Sequence, residues 1–122
     1  MDTRQTVVAF LKAHQARDEK AIAELCADDI RVRGGPTELV GVRAYLDSER
    51  NTWQLLPNQS VIAESILHAG DDIVVQWLDS NQSSASTPSI TAGCTIFKVV
   101  SDKIAEAYIY IDRSTIPAGS HN

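Results

Sequence analysis

The stretch Ile104–Asp112, with the sequence IAEAYIYID, decides the fold because two kinds of side chain alternate along it. Its faces are Ala105, Ala107, Ile109 and Ile111 on one side and Glu106, Tyr108, Tyr110 and Asp112 on the other. Successive side chains of a β-strand point to opposite faces of a sheet. The period of two therefore predicts a strand with one wholly apolar face and one amphipathic face.

Three further β-rich runs precede this strand, and they are Ser60–Ala69, Ile73–Ser80 and Ile90–Val100. Turn-like residues separate the four runs, namely Gly70-Asp71-Asp72, the Ser- and Asn-rich segment 81–89 and Ser101-Asp102-Lys103. Short connections favour the pairing of consecutive strands. We therefore expect these runs to form an antiparallel sheet.

The first half of the chain shows helical periodicity. Apolar residues recur at helical spacing over residues 6–16, and Asp18 is placed to cap a second helix that runs to about Ala27. A third helix is predicted over Val40–Leu55, and a short strand, Ile30–Arg33, precedes it. Helices followed by strands are typical of an α+β domain, here a curved sheet wrapped around about three helices.

The composition is that of an ordinary globular protein of 122 residues. We expect one domain with a core at about residues 5–112 and a loose tail at 113–122. The net charge of -5 and the scattered Lys and Arg residues argue against nucleic-acid binding. The sequence shows neither a membrane span nor a signal-peptide pattern, so we expect no membrane association and a cytoplasmic location.

The two cysteines, Cys26 and Cys94, have no spacing that indicates a zinc site or a disulfide framework. We expect both to be reduced and largely buried. No group of His, Asp and Glu residues has metal-ligand spacing, and no glycine-rich phosphate loop follows a strand. The sequence therefore predicts no metal and no other cofactor.

The element order and several short motifs resemble the nuclear transport factor 2-like superfamily, in particular its SnoaL-like, polyketide cyclase-like branch. The motifs are Ala27-Asp28-Asp29, Gly70-Asp71, Ile73-Val74-Val75-Gln76-Trp77, Phe97-Lys98-Val99, Lys103-Ile104-Ala105-Glu106 and Tyr110-Ile111-Asp112. The resemblance covers about residues 5–112. It implies a cone-shaped mixed or antiparallel sheet, a pocket lined by the apolar face of the last strand, and a homodimer formed through the outer face.

The ketosteroid isomerases of this superfamily move a proton with a carboxylate base, a tyrosine and a protonated aspartic acid. The resemblance places the tyrosine at Phe10, the base at Gly34 and the acid at Thr95 or Cys94. The phenol, the base and the acid are thus all replaced. The resemblance therefore implies no isomerase relay of that kind.

Two other chemistries of the superfamily are matched only in part. Epoxide hydrolase-like members need two carboxylates bridged by an arginine, and the matching positions hold Asp79, Trp77 and Ile109. SnoaL-like cyclases would carry a histidine ahead of Gly93, where this chain has Thr91-Ala92. Asp79 is thus the one carboxylate that the resemblance retains.

Asp79 is the candidate catalytic residue, because a carboxylate in apolar surroundings can act as a general base. Its ordinary alternative is to cap a loop in water. The candidate ligand-binding residues are Phe10, His14, Trp53, Trp77, Thr95, Ala107 and Ile109. The tryptophans would supply flat apolar walls, and His14 and Thr95 would supply hydrogen bonds, although each of these residues also suits a core.

Two functions remain open from the sequence. The first is a SnoaL-like pocket protein that binds a small apolar, cyclic or polyketide-like molecule, with or without isomerase, cyclase or hydrolase activity. The second is a non-catalytic association or ligand-binding module that forms a homodimer. In both cases we expect Tyr45, Tyr108 and Tyr110 at the edge of the core or on the dimer face.

Overall fold

The computed structural model describes residues 2–81 and 89–112. Its elements are α1 (Thr3–Gln15), α2 (Glu19–Leu25), β1 (Cys26–Gly34), β2 (Thr37–Val40), α3 (Val42–Leu55), β3 (Ser60–Ala69), β4 (Asp72–Asn81), β5 (Ser89–Val100) and β6 (Lys103–Ile111). The four long strands agree with their predicted bounds to within one residue at each end. The tail at 113–122 and residues 82–88 of the predicted loop lie outside the described residues.

Side-chain caps determine where the first two helices begin. The Asp2 carboxylate accepts a hydrogen bond from the backbone N–H of Gln5 at 2.7 Å, and the Asp2 N–H donates to the Gln5 side chain at 2.9 Å. As predicted, Asp18 caps α2 through its side chain. This helix ends two residues earlier than predicted, because the backbone becomes extended at Cys26 and enters β1.

The six strands form one sheet in the order β2-β1-β6-β5-β4-β3. Consecutive strands from β3 to β6 pair antiparallel, as the short connections predict. The strand β1 lies parallel to β6, so the sheet is mixed. This curved, unclosed sheet with three helices confirms the predicted fold class.

The strands of the first half were only partly predicted. The observed β1 is longer than the predicted Ile30–Arg33, and β2 lies where a turn and the start of a helix were expected. Four residues are too few to show a period of two. This segment becomes a strand because it pairs with β1, with Val40 opposite Arg31 and Thr37 opposite Gly34.

A β-bulge in β6 changes which residues face inward. Glu106 lies opposite Lys98, whereas Ile104 lies opposite the next residue, Val99, so Ala105 is the extra residue on β6. Ile104 is therefore fully buried on the inner side, and Ala105 is only partly buried. The expectation that Ala105 belongs to the inner apolar face was wrong, because the bulge shifts the alternation at that point.

The helices pack against the inner face of the sheet and form one core with it. The largest fully buried side chains are Ile22, Ile30, Ile73, Ile104, Val7, Val75, Thr6 and Cys26. Tyr45 is also buried, so it belongs to the core itself and not to its edge or to an outer face. Both cysteines are free, and Cys94 is less buried than Cys26. In the described ranges, no helix combines the length and the hydrophobicity that crossing a membrane requires.

Candidate ligand-binding and active site

A cavity of about 220 Å³ lies between α1, α3 and the inner face of the sheet. Its apolar wall is formed by Phe10, Leu11, Ile30, Val32, Val61, Phe97, Ile104, Ala107, Ile109 and Ile111. Its polar or amphipathic lining residues are His14, Tyr45, Glu49, Thr52, Gln59, Trp77, Asp79 and Thr95. An apolar chamber with a few polar groups is the usual form of a small-molecule site.

Asp79 lies on β4, with Val61 of β3 and Thr91 of β5 as its cross-strand neighbours. Gln59 donates a hydrogen bond from Nε2 to Asp79 Oδ2 at 2.7 Å. Burial raises the pKa of this carboxyl above its ordinary value, and the Gln59 hydrogen bond and nearby His14 reduce that rise. A carboxyl with a raised pKa in a cavity can both accept and return a proton.

The segment after α3 positions Gln59 beside Asp79. Arg17 follows α1 with a φ of 54° and donates from Nη2 to the carbonyl oxygens of Leu56, Pro57 and Gln59, at 3.4, 3.1 and 3.4 Å. These hydrogen bonds tie the chain at residues 56–59 to the end of α1. The orientation of the Asp79 carboxyl thus depends on α1 as well as on the sheet.

His14 and Glu49 form the second polar group of the cavity, and they join α1 to α3. His14 Nε2 lies 2.8 Å from Glu49 Oε2, and the two side chains are 21% and 20% exposed. A carboxylate only accepts hydrogen bonds, so this contact places the proton of the ring on Nε2 when His14 is neutral. Glu49 thereby determines the tautomer of His14.

Trp77, Thr95 and Gly93 form a rigid wall on β4 and β5. Trp77 Nε1 donates to Thr95 Oγ1 at 2.9 Å, so the hydroxyl hydrogen of Thr95 is the group that it can offer to a ligand. Trp77 pairs across the sheet with Gly93, whose missing side chain leaves room for the indole ring. The ring is thereby held across the cavity wall.

The structure brings most of the candidate residues together. Phe10, His14, Trp77, Asp79, Thr95, Ala107 and Ile109 all line the cavity. Trp53 does not line it. Its ring lies behind His14, with 5.9 Å between the ring centroids, and the Arg17 guanidinium is 5.7 Å from the Trp53 ring. Trp53 thus supports His14 from behind. It lies on α3 one turn after Glu49, where the helix faces the core beside the cavity.

Among the lining residues that were not candidates are three with polar groups that bear on the chemistry: Tyr45, Glu49 and Gln59. Tyr45 and Glu49 share one face of α3 with Trp53 at a spacing of four residues, which is a signal that the sequence contains. Burial raises the pKa of the Tyr45 hydroxyl well above its ordinary value, and Glu49 adds to the rise. Gln59 carries no such signal, since only the fold places it beside Asp79.

In the part of the chain that the structure describes, no group of three or more His, Cys, Asp and Glu residues could hold a metal ion. Polar side chains are few and occur in pairs, as in His14 with Glu49 and Gln59 with Asp79. These side chains can transfer protons and form hydrogen bonds.

A family model described as the SnoaL-like domain matches residues 7–107 of this sequence. The chain belongs to the SnoaL-like domain family. The match begins within α1 and ends within β6, so it includes all of the cavity-lining residues except Ile109 and Ile111. This chain has no significant match among curated proteins.

Solved structures share the fold of this SnoaL-like domain at low sequence identity. IdmH, a candidate polyketide cyclase from Streptomyces antibioticus, is 16% identical with a TM-score of 0.84 over 94% of this chain and 95% of its own. An LEH-like epoxide hydrolase from M. tuberculosis is 21% identical with a TM-score of 0.76 over 88% and 80%. A hypothetical protein with a ketosteroid isomerase-like fold from Catenulispora acidiphila, in complex with trimethylamine, is 18% identical with a TM-score of 0.80 over 94% and 91%.

Proposed function

We propose that this SnoaL-like domain is an enzyme that transfers a proton on a small, mostly apolar molecule, with Asp79 as the acid and base. One observation carries the proposal: a carboxyl whose pKa is raised by burial lies in a cavity that is otherwise mainly apolar. Active sites use burial in this way to bring the pKa of a carboxyl nearer to neutral pH.

The reaction that fits this arrangement is removal of a proton from a carbon beside a carbonyl group, followed by its return or by ring closure. Asp79 takes the proton, and the electron pair of the broken C–H bond moves toward the carbonyl oxygen. That oxygen then needs a hydrogen-bond donor. The Thr95 hydroxyl is a lining group that can supply one, whereas His14 can do so only from Nδ1 when its ring carries both protons, because Glu49 accepts the Nε2 proton.

The substrate class follows from the lining. Trp77, Phe10 and Phe97 give the cavity broad aromatic surfaces, and these favour a ring-shaped apolar compound. The similarity to a candidate polyketide cyclase and to an epoxide hydrolase supports a reactive, oxygen-bearing organic substrate. We therefore propose a cyclic or polyketide-like carbonyl compound.

The test is a screen of cyclic ketones and polyketide-like β-diketones for exchange of the acidic hydrogen with deuterium, followed by NMR. Asp79→Asn is expected to lower the exchange rate by about 10²–10⁴-fold, the usual contribution of a general base, while binding persists. Asp71→Asn is the matched control, because Asp71 is exposed in the turn between β3 and β4. Equal rates for Asp79→Asn and the unchanged protein would refute the proposal.

A second candidate function, association through the outer sheet face, is favoured by the side chains on that face. The Arg33 guanidinium lies 4.7 Å from the centre of the Tyr108 ring, and the Tyr108 hydroxyl donates to Glu106 at 2.9 Å. Tyr110 is 53% exposed on the same face. We propose a homodimer with these residues at its centre, to be tested by sedimentation at micromolar concentration. A monomer there would contradict it.

A further inference from the structure

A second opening adjoins the cavity, on the side where α1 meets the edge strand β3. Its volume is about 530 Å³. It is lined on the helix side by Val8, Leu11 and Lys12 and on the strand side by Ile62, Ala63 and Ile66. We call this opening the edge groove. Its surface is mainly apolar although it is open to solvent.

The edge groove and the cavity adjoin each other. Leu11, His14, Val61 and Trp77 line both of them. A molecule held against Trp77 in the cavity would thus reach the groove by passing the side chains of α1 and β3. The two spaces are placed to take different parts of one ligand.

The volume of the cavity also supports a ligand that extends into the edge groove. Pockets that hold drug-sized ligands usually measure about 300–1,000 Å³. The cavity alone, at about 220 Å³, lies below that range, and it enters the range only together with the edge groove. A single ring with its carbonyl group would fill the cavity, and any further carbon chain would have to leave it.

We infer that the edge groove binds the apolar tail of a ligand whose polar head lies in the cavity near Asp79. The ligand class is an elongated carbonyl compound with a ring or carbonyl head and an alkyl or polyketide chain. Ala63 supports this role, since it is exposed, lines the groove and lies on the same face of β3 as Val61, and exposed apolar surface beside a pocket is typical of ligand contact. Lys12 lies where a polar tail end would meet water. The inference rests on the proposed function, because the head must occupy the cavity.

The test compares two phenyl ketones with the same head, propionylbenzene and hexanoylbenzene. Their dissociation constants are measured by quenching of tryptophan fluorescence in the full chain. Each methylene that leaves water is expected to tighten binding by up to about fourfold, so the hexanoyl compound gains about 10- to 60-fold. A gain below about twofold overturns the groove inference while binding of the propionyl compound leaves the proposed function standing.

Substitutions on β3 test whether the apolar tail of the ligand binds in the edge groove. Ala63→Arg places a charge in the edge groove, and Leu67→Arg is its matched control on the other face of the same strand, since Leu67 is 54% exposed and is not a groove residue. Ala63→Arg is expected to remove most of the chain-length gain and to leave the propionyl compound within about twofold of its original affinity. Leu67→Arg is expected to keep the gain, and loss of the gain in both variants or in neither overturns the inference.

Two further measurements complete the test. Ala63→Phe fills the groove with a ring and is expected to act like Ala63→Arg, which guards against an effect of charge alone. Sedimentation of Ala63→Arg and Leu67→Arg is expected to be the same. A difference in mass confined to Ala63→Arg would identify the groove as a contact between copies and overturn the inference. Failure of both ketones to bind the unchanged protein would refute the proposed function itself.

Discussion

Trp77 lies directly across from Gly93 on the neighbouring strand, and its indole ring occupies the space that a side chain at position 93 would need. A β-carbon on Gly93 would be 2.5 Å from Trp77 Cη2 and 2.5 Å from the carbonyl oxygen of Tyr110. Both distances are far below van der Waals contact. Gly93 is therefore what allows the aromatic wall of the cavity to lie against β5.

Gly93→Ala is expected to destabilise the fold by about 1–3 kcal/mol, because neither the indole ring nor the backbone oxygen can move freely. Urea unfolding measures the loss, and the emission maximum of Trp77 should shift toward the red as the ring is displaced. Gly34→Ala is the control in β1, where an added β-carbon would meet only Ile109 Cβ, at an ordinary 3.8 Å. Equal losses in the two variants would contradict this account.

Thr95→Val removes the acceptor for Trp77 Nε1 and leaves a partly buried N–H without a partner. We expect a loss of about 1–3 kcal/mol in the free energy of unfolding, since an unsatisfied donor costs its desolvation. Thr95→Ser retains the hydroxyl and should recover most of that loss. If Val and Ser were equally tolerated, the hydrogen bond would contribute nothing to stability.

Asp79 should make stability depend on pH in a defined direction. Its pKa is raised in the folded state, so its contribution is complete below the unfolded pKa and is lost as the pH rises through the folded pKa. Asp79→Asn removes that loss. The free energy of unfolding of the variant, relative to that of the unchanged protein, should therefore increase as the pH rises from about 4 to about 7. The gain should stay below about 1 kcal/mol, because the carboxyl is partly exposed and screened. Thermal unfolding at both pH values measures it, and a change of opposite sign would contradict the burial argument.

His14 and Glu49 should be energetically coupled. A double-mutant cycle with His14→Gln and Glu49→Gln is expected to give a coupling of about 1–2 kcal/mol by urea unfolding, because the contact is largely shielded from water. The control cycle uses Arg31 and Glu38, whose Nη2 and Oε1 atoms lie 2.7 Å apart at an exposed site. That pair should couple more weakly, since solvent screens it. A stronger coupling between Arg31 and Glu38 would contradict the argument that shielding from water strengthens the contact between His14 and Glu49.

The burial of Cys26 predicts a chemically inert thiol. Desolvation raises its pKa to about 12, and the nearby Lys103 only reduces that rise. In the native protein at about pH 8, iodoacetamide should therefore modify Cys94 before Cys26, with mass spectrometry of the peptides as the measurement. Equal modification rates would show that β1 opens readily near Cys26.

Local pattern alone was enough to predict the long strands and the cap of α2. The alternation in β6 and the turn residues on either side of β4 are properties of neighbouring residues, and so they can be read without knowing the fold. The same holds for Asp18, whose capping role depends only on the helix that follows it. Phe10, Trp77 and Asp79 were found through the family resemblance, and Ala107 and Ile109 through the alternation along β6 together with that resemblance.

Other features of the fold and the site were determined by the tertiary structure. β2 exists because β1 is beside it, and the bulge at Ala105 replaces that residue with Ile104 on the inner face. Glu49 and Gln59 became site residues through partners 35 and 20 positions away in the chain, His14 and Asp79. The sequence by itself thus determined which segments are helices and long strands, since those choices depend on local periodicity. Only the folded chain determined which polar groups meet in the cavity, because a hydrogen bond between distant residues depends on how the sheet curves around the helices.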